Sequence, residues 1–277
     1  DQAWQLGRIS SAEAQDGSWM SAFGQRGSFA GAGGQAGYDY RVNGTVIGFD
    51  QRHGGGLITG FSSGFSRGSA GIEDRMGTGS MDGAASSIYG SWSAAETYLE
   101  SALSFARNHY TNRRSIVVGP LAQSAAADHE GNLFTAYLSG GRYIDVNRWV
   151  VEPYASMLFA QAYEEGFQES GDGLSLRIHD DRTRSLVSDV GLRIARSYEV
   201  PFGHLIPEAG VAWAYDFRLD DRRVTASLAD VEGSEFSMPG EQTGRHGARF
   251  EAGLSWQGAG GVAASLKYTG EFRSGAD

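Results

Sequence analysis

The stretch "LIPEAGVAWAYDF", residues 205–217, reads differently at alternate positions. One set is Leu205, Pro207, Ala209, Val211, Trp213, Tyr215 and Phe217. The other, with the preceding residue, is His204, Ile206, Glu208, Gly210, Ala212, Ala214 and Asp216. Successive side chains of a strand point to opposite faces. One face is therefore apolar, with aromatics gathered at one end. The other is small, with a carboxylate near each end. Lipid outside and a water-bearing or plugged lumen inside satisfy both faces over so long a strand.

The same alternation recurs along the chain. In "LITGFSSGF", Leu57, Phe61 and Phe65 oppose Gly60, Ser62 and Gly64. In "SLVSDVGLRI", Leu186, Val190, Leu192 and Ile194 oppose Asp189, Gly191 and Arg193. In "ARFEAGLSW", Phe250, Leu254 and Trp256 oppose Arg249, Glu251 and Gly253. Such period-two runs predict strands near 18–28, 44–52, 56–66, 84–94, 96–107, 132–144, 149–163, 184–197, 203–217, 246–257 and 261–273. Ordinary strands average about 5–6 residues, whereas a tilted strand needs roughly 9–11 to cross a bilayer. These runs match the longer figure.

The connections alternate too. Those at 51–56, 94–95, 145–148, 198–202 and 257–261 are short, and those at 28–43, 67–82, 108–130, 164–183 and 218–246 are long and polar. Short turns on one side and long loops on the other are the layout of a transmembrane β-barrel. Backbone groups in hydrocarbon must be paired, so such a sheet has to close. Residues 1–16 are the one non-strand candidate, weakly helical through Ala, Gln, Leu and Glu.

Composition agrees. The chain has 277 residues, and its 41 glycines are roughly twice the usual ~7%. Inner-face glycines make room in a narrow lumen. With five prolines the chain is no disordered Pro/Gly linker. Cysteine is absent, which removes disulfides and Cys-ligated zinc. The net charge is −10 without a basic stripe, so nucleic acid is not an expected partner. No apolar run is long enough for a transmembrane helix.

Taken in order, "GTVIGFDQR", "GLITGFSSGFS", "SSIYGSWS", "YLESALSFARN", "VVEPYASMLF", "SDVGLRIA", "PEAGVAWAYDF", "RVTASLADVEGSEFSMPG" and "AGLSW…LKYTGEF" resemble the β-domain of classical autotransporters, the type V secretion proteins of Gram-negative outer membranes. The resemblance spans about residues 19–272. It implies an all-β, antiparallel transmembrane barrel of twelve strands, of which about eleven are found here. It also implies a translocator that exports and anchors an upstream passenger, with a linker helix in the lumen. Outer-membrane lipid, lipopolysaccharide and the barrel assembly machinery are the implied partners of a monomer, and no cofactor or metal is implied. The expected division is a linker remnant over 1–16 and a barrel over 17–277 whose final strand is not found.

Candidate functional residues are the charges assigned to the inner face: Asp50, Arg52, Glu100, Arg142, Glu152, Asp189, Arg193, Glu208, Arg249, Glu251, Lys267 and Glu271. They could contact a passing or plugging segment. The bland alternative is that polar groups must face inward, because Arg or Lys facing mid-bilayer lipid costs about 2–4 kcal/mol. A rival reading is a barrel hydrolase with a rim site around His109, His129 or His179, near Asp128, Asp180 and Asp181. No nucleophile elbow supports it. The calcium-loop rhythm is absent. "RHGGG" falls at a hairpin turn rather than before a helix, so it is read as a turn and not a phosphate cradle. The first asparagine of the chain is Asn43, beyond any linker, so self-cleavage by asparagine chemistry finds no support.

Overall fold

The computed structural model describes residues 17–29, 36–72, 77–118, 121–171, 174–217, 219–220, 223–239, 244–258 and 262–273. The helix expected within residues 1–16 lies outside them. Eleven long strands follow one another: β1 (Gly17–Phe29), β2 (Tyr38–Arg52), β3 (Leu57–Ile72), β4 (Gly77–Ala94), β5 (Thr97–Val118), β6 (Leu121–Arg142), β7 (Trp149–Glu164), β8 (Asp181–Ala195), β9 (Gly203–Asp216), β10 (His246–Gln257) and β11 (Ala263–Arg273). Each pairs antiparallel with the next in a single curled sheet. Among the described residues no strand pairs with the far edge of β1 or of β11.

The sheet is inside-out by the standards of a water-soluble protein. Met20, Ile47, Phe65, Val211 and Leu266 are exposed on the outer face. Ser62, Ser87, Ser104, Glu152 and Glu251 are buried on the inner face. Register keeps each face pure: Leu192 pairs with Val211, and Val190 with Trp213. A one-residue slip would turn every apolar side chain into the lumen. At the long-loop end of β9 the outer face carries Trp213, Tyr215 and Phe217 in successive ring contacts of 5.8 and 5.0 Å. That is where an interfacial aromatic girdle belongs.

Inside, glycine decides where rings can lie. Trp19 packs over Gly48 on the neighbouring strand and Tyr89 over Gly60, and a Cβ at either glycine would overlap the ring. At the opposite end the turns are tight. Ala94 pairs with Thr97 and Val146 with Trp149, leaving two-residue connections. Their first residues, Ala95 and Asn147, take φ of 50° and 60°.

The long connections differ from expectation. Of the described residues assigned to loops at 28–43, 67–82 and 108–130, most are strand, because β2 begins at Tyr38, β3 reaches Ile72, β4 begins at Gly77 and the β5–β6 ladder runs on to Val118 and Leu121. Beyond the bilayer both faces meet water, so the apolar alternation stops while backbone pairing continues. The connections 164–183 and 218–246 also contribute short strands. Phe167–Gln168, Leu176–Ile178, Arg223–Leu228 and Phe236–Pro239 form a separate small sheet. It docks on the β5–β6 hairpin. Phe167 stacks on His129 at 4.1 Å, and Glu169 accepts two bonds from Arg114 at 2.6 and 3.0 Å.

Candidate functional site

The inner wall divides into two chemically distinct halves. Over β1–β5 it is mostly small and neutral. A knot of bonds there joins three strands: Trp19 Nε1 donates to Tyr89 Oη at 2.7 Å and to Asp50 Oδ1 at 3.2 Å, and the Tyr89 hydroxyl donates to Asp50. The Asp50 carboxylate is thus held by ring donors rather than by a cation. Farther up this wall Ser87 Oγ donates to Ser104 Oγ at 2.8 Å.

Over β7–β11 the wall is a ladder of ion pairs, because each strand carries at least one charge at an inward position and neighbouring strands bring those residues close. Arg193 Nη1 lies 2.9 Å from Glu152 Oε1, Arg193 Nε also bonds Glu251, and its guanidinium sits 3.8 Å above the Tyr154 ring. Lys267 Nζ is 2.7 Å from Glu251 Oε2 and 3.7 Å from Glu208 Oε1. Arg249 Nη2 is 2.7 Å from Glu271 Oε2, and Nη1 bonds Asp189. The Tyr98 hydroxyl donates to Glu152. Several of these pairs skip a strand, which the concave side of a curled sheet permits. Buried charges persist only when paired and hydrogen-bonded, and this ladder meets that condition.

Nine of the twelve candidate charges have their places in these two groups. Arg52 and Glu100 also follow the inner-face parity of β2 and β5, apart from the ladder. Arg142 does not. It pairs with Thr97 and so continues the outer face of Leu99 and Leu138, where Nη2 binds Glu96 at 2.7 Å beside a tight turn. An inward assignment of Arg142 is corrected by that register. At the end of a strand a charge can face either way, because the bilayer no longer penalises the outer side. Asp216, which alternation already put on the inner face, and Arg273 add to the wall beside the ladder. Their side chains meet at 3.4 Å, and Arg273 also binds Glu271. Strand parity finds both, although their place beside the loops kept them off the list of candidate charges.

The rim histidines occupy separate settings. His109 is on the outer face of the β5–β6 hairpin, 4.0 Å from Asp128. His129 is on the inner face, sandwiched between Tyr110 at 5.0 Å and Phe167 at 4.1 Å. Its Nε2 is 3.8 Å from Glu164, and its Nδ1 has no hydrogen-bond partner. Burial pushes its pKa below the ordinary 6.5, with His109 adding in the same direction. His179 faces Glu235 at 3.9 Å in the small sheet. No nucleophile is hydrogen-bonded to any of these three rings among the described residues. Among the described residues no cluster of His, Cys, Asp and Glu could hold a metal.

A family model described as the autotransporter beta-domain matches residues 18–269. An uncharacterized protein of Salmonella typhimurium, YaiT, is 28% identical; the match covers 79% of this chain and 22% of that protein. The chain thus spans about a fifth of that relative's length. The translocator domain of NalP from Neisseria meningitidis superposes with a TM-score of 0.70 at 17% identity, covering 95% of this chain and 85% of that one. The beta domain of the Bordetella autotransporter Brka gives 0.64 at 22% identity, covering 94% of each chain. The transport unit of AIDA-I from Escherichia coli gives 0.62 at 15% identity, covering 98% and 92%.

Proposed function

Because the chain belongs to the autotransporter beta-domain family, we propose that it is the translocator of a longer protein, forming the outer-membrane pore through which an upstream passenger leaves the cell and then the anchor that holds it. The two-faced sheet carries this reading. Its outer face suits lipid, and its inner face is polar and ion-paired. Translocation on this view is conduction and needs no chemical step. The β7–β11 ladder, which keeps its charges paired in the absence of cargo, is a wall along which a linker segment can slide and then lodge.

On the same reading the barrel sits in the outer membrane of a Gram-negative bacterium, the β5–β6 hairpin and the small sheet face the outside, and the two-residue turns face the periplasm. Insertion would use the barrel assembly machinery. A further strand supplied by the longer protein would join β11 to β1. The test is surface display on whole cells expressing the full-length protein. One tag is inserted between Val118 and Leu121, past the last described pair of the β5–β6 ladder, and the control tag between Asn147 and Arg148. The hairpin tag should be labelled on intact cells together with the passenger, and the turn tag only after permeabilisation. Labelling of the turn tag on intact cells, or a passenger that stays inside when the barrel is correctly inserted, would overturn the proposal.

A further inference from the structure

The outer face of β1–β3 ends in a feature that membrane crossing does not require. Arg26 and Arg41 are direct cross-strand partners. Both are exposed and share the face of Met20 and Ile47. Like charges directly opposite each other destabilise an antiparallel pair. Arg67 is close by: its strand neighbour Ser69 pairs with Arg41, so Arg67 is the diagonal neighbour on the same face. Such diagonals lie roughly 7–8 Å apart. Two other outward arginines are matched by carboxylates, Arg107 with Glu130 and Arg184 with Asp220, and the outward Arg113 and Arg182 do not face a second arginine across the ladder. Arg67 donates Nε to Asp82 at 2.7 Å. Among the described residues neither Arg26 nor Arg41 forms an ion pair, and Asp39 is the one acid beside them on their face. The connecting residues 30–37, "AGAGGQAG", contain no acid.

Height and shape both point to a lipid. On β3 the outer face reads Leu57, Thr59, Phe61, Ser63, Phe65, uncharged throughout, and Arg67 follows at once. Eight residues at about 3.4 Å, tilted by about 40°, rise roughly 20 Å, close to the ~25 Å apolar band of such barrels. The arginines therefore stand at headgroup level. Below them a shallow groove on the wall is lined by Met20, Ile47, Phe49 and Phe61. Guanidinium groups bind phosphate through paired hydrogen bonds. We propose that Arg26, Arg41 and Arg67 bind the phosphate groups of the phosphorylated, multiply acylated glycolipid of the outer leaflet, with an acyl chain in the groove beneath.

The proposal rests on the orientation given above, but its test does not depend on export. Full-length protein, purified in detergent and shown to be folded by its heat-modifiable mobility, is titrated with bis-phosphorylated lipid A, and retained lipid is read by native mass spectrometry. The double variant R26Q/R41Q should bind about a hundredfold more weakly, the scale of two lost charge-assisted contacts at about tenfold each. Asp39→Asn, which removes the neighbouring acid, should bind more tightly. Dephosphorylated lipid A should bind wild type as weakly as the double variant binds lipid A. Inorganic phosphate at the same concentration should not displace the lipid. Equal binding of lipid A by wild type, R26Q/R41Q and Asp39→Asn would overturn the site, as would equal binding of the dephosphorylated form. Displacement by inorganic phosphate would make it a free-anion site instead. Should the double variant not fold, Asp39→Asn and the dephosphorylated lipid decide alone. Export of the passenger, followed separately in cells, reports on the translocator reading.

Discussion

Residues 191 and 192 show how far alternation can be read and where it stops. Parity puts Gly191 inward and Leu192 outward, and both stand there, opposite Ala212 and Val211. An inner glycine was expected simply to spare space in the lumen. The structure is more demanding. A Cβ at Gly191 would lie 2.7 Å from the carbonyl oxygen of Val211 and from the Tyr154 ring, a close approach set by three strands at once and by nothing local. Leu192→Arg should weaken insertion by about 2–4 kcal/mol, its position being near mid-bilayer. Gly191→Ala should also lower stability, through crowding rather than through charge. Urea titration of folded protein in lipid vesicles measures both. A neutral Gly191→Ala would show that the Tyr154 ring can move aside. The same logic separates two arginines. Arg193 is enclosed by Glu152, Glu251 and Tyr154, whereas the side chain of Arg142 is 62% exposed. Arg193→Ala should cost about 3–5 kcal/mol by stranding buried carboxylates, and Arg142→Ala no more than about 1 kcal/mol. Equal costs in the same titration would mean that the ladder is not buried as described.

At the scale of elements, the bilayer-crossing part of each strand was legible because hydrocarbon on one side and a lumen on the other impose period two. Outside the membrane that constraint lapses. The β5–β6 hairpin beyond Arg107 reads as polar loop, yet it is held by ladder bonds and by contacts such as Thr111 Oγ1 donating to Asp128 at 2.6 Å. The small sheet was invisible for a related reason: its strands are too short to show a period, and its docking depends on Phe167 meeting a histidine far away in sequence. That docking has a pH signature. The His129 ring lies between Tyr110 and Phe167, faces Glu164 at 3.8 Å and has His109 nearby. Burial lowers its pKa below 6.5, so docking favours the neutral ring. The contribution is complete above about pH 6.5, the value of an unburied histidine, and is lost as the pH falls toward the depressed value. Proteolysis at 172–175 of folded protein should therefore speed up as the pH drops below 6.5, and His129→Phe should abolish that acceleration. An unchanged acid response in His129→Phe would assign the effect to another group.

For the whole molecule the decisive fact is that, among the described residues, the ladder runs from β1 to β11 without returning. Between neighbouring strands every backbone group in the membrane has a place to bond. Along the far edges of Gly17–Phe29 and Ala263–Arg273 no described strand offers one. In hydrocarbon each unsatisfied group costs several kcal/mol, and water cannot substitute. The direction of the strands fixes what can bridge the two edges. β1 and β11 both run from the tight-turn side toward the long-connection side, since each is an odd member of an antiparallel series. Direct β1–β11 pairing would therefore be parallel, in a sheet that is otherwise antiparallel throughout. One further strand running the opposite way restores antiparallel pairing on both sides and makes the count even, as single-chain bacterial barrels require. The full-length protein should accordingly run as a heat-modifiable, detergent-resistant species, and residues 1–277 expressed alone should not. Appending a strand of about ten residues, apolar at alternate positions, after residue 277 should restore that species. If residues 1–277 alone resisted detergent as well as the full-length protein, the edges would have to meet each other, and the proposed closing strand would be unnecessary.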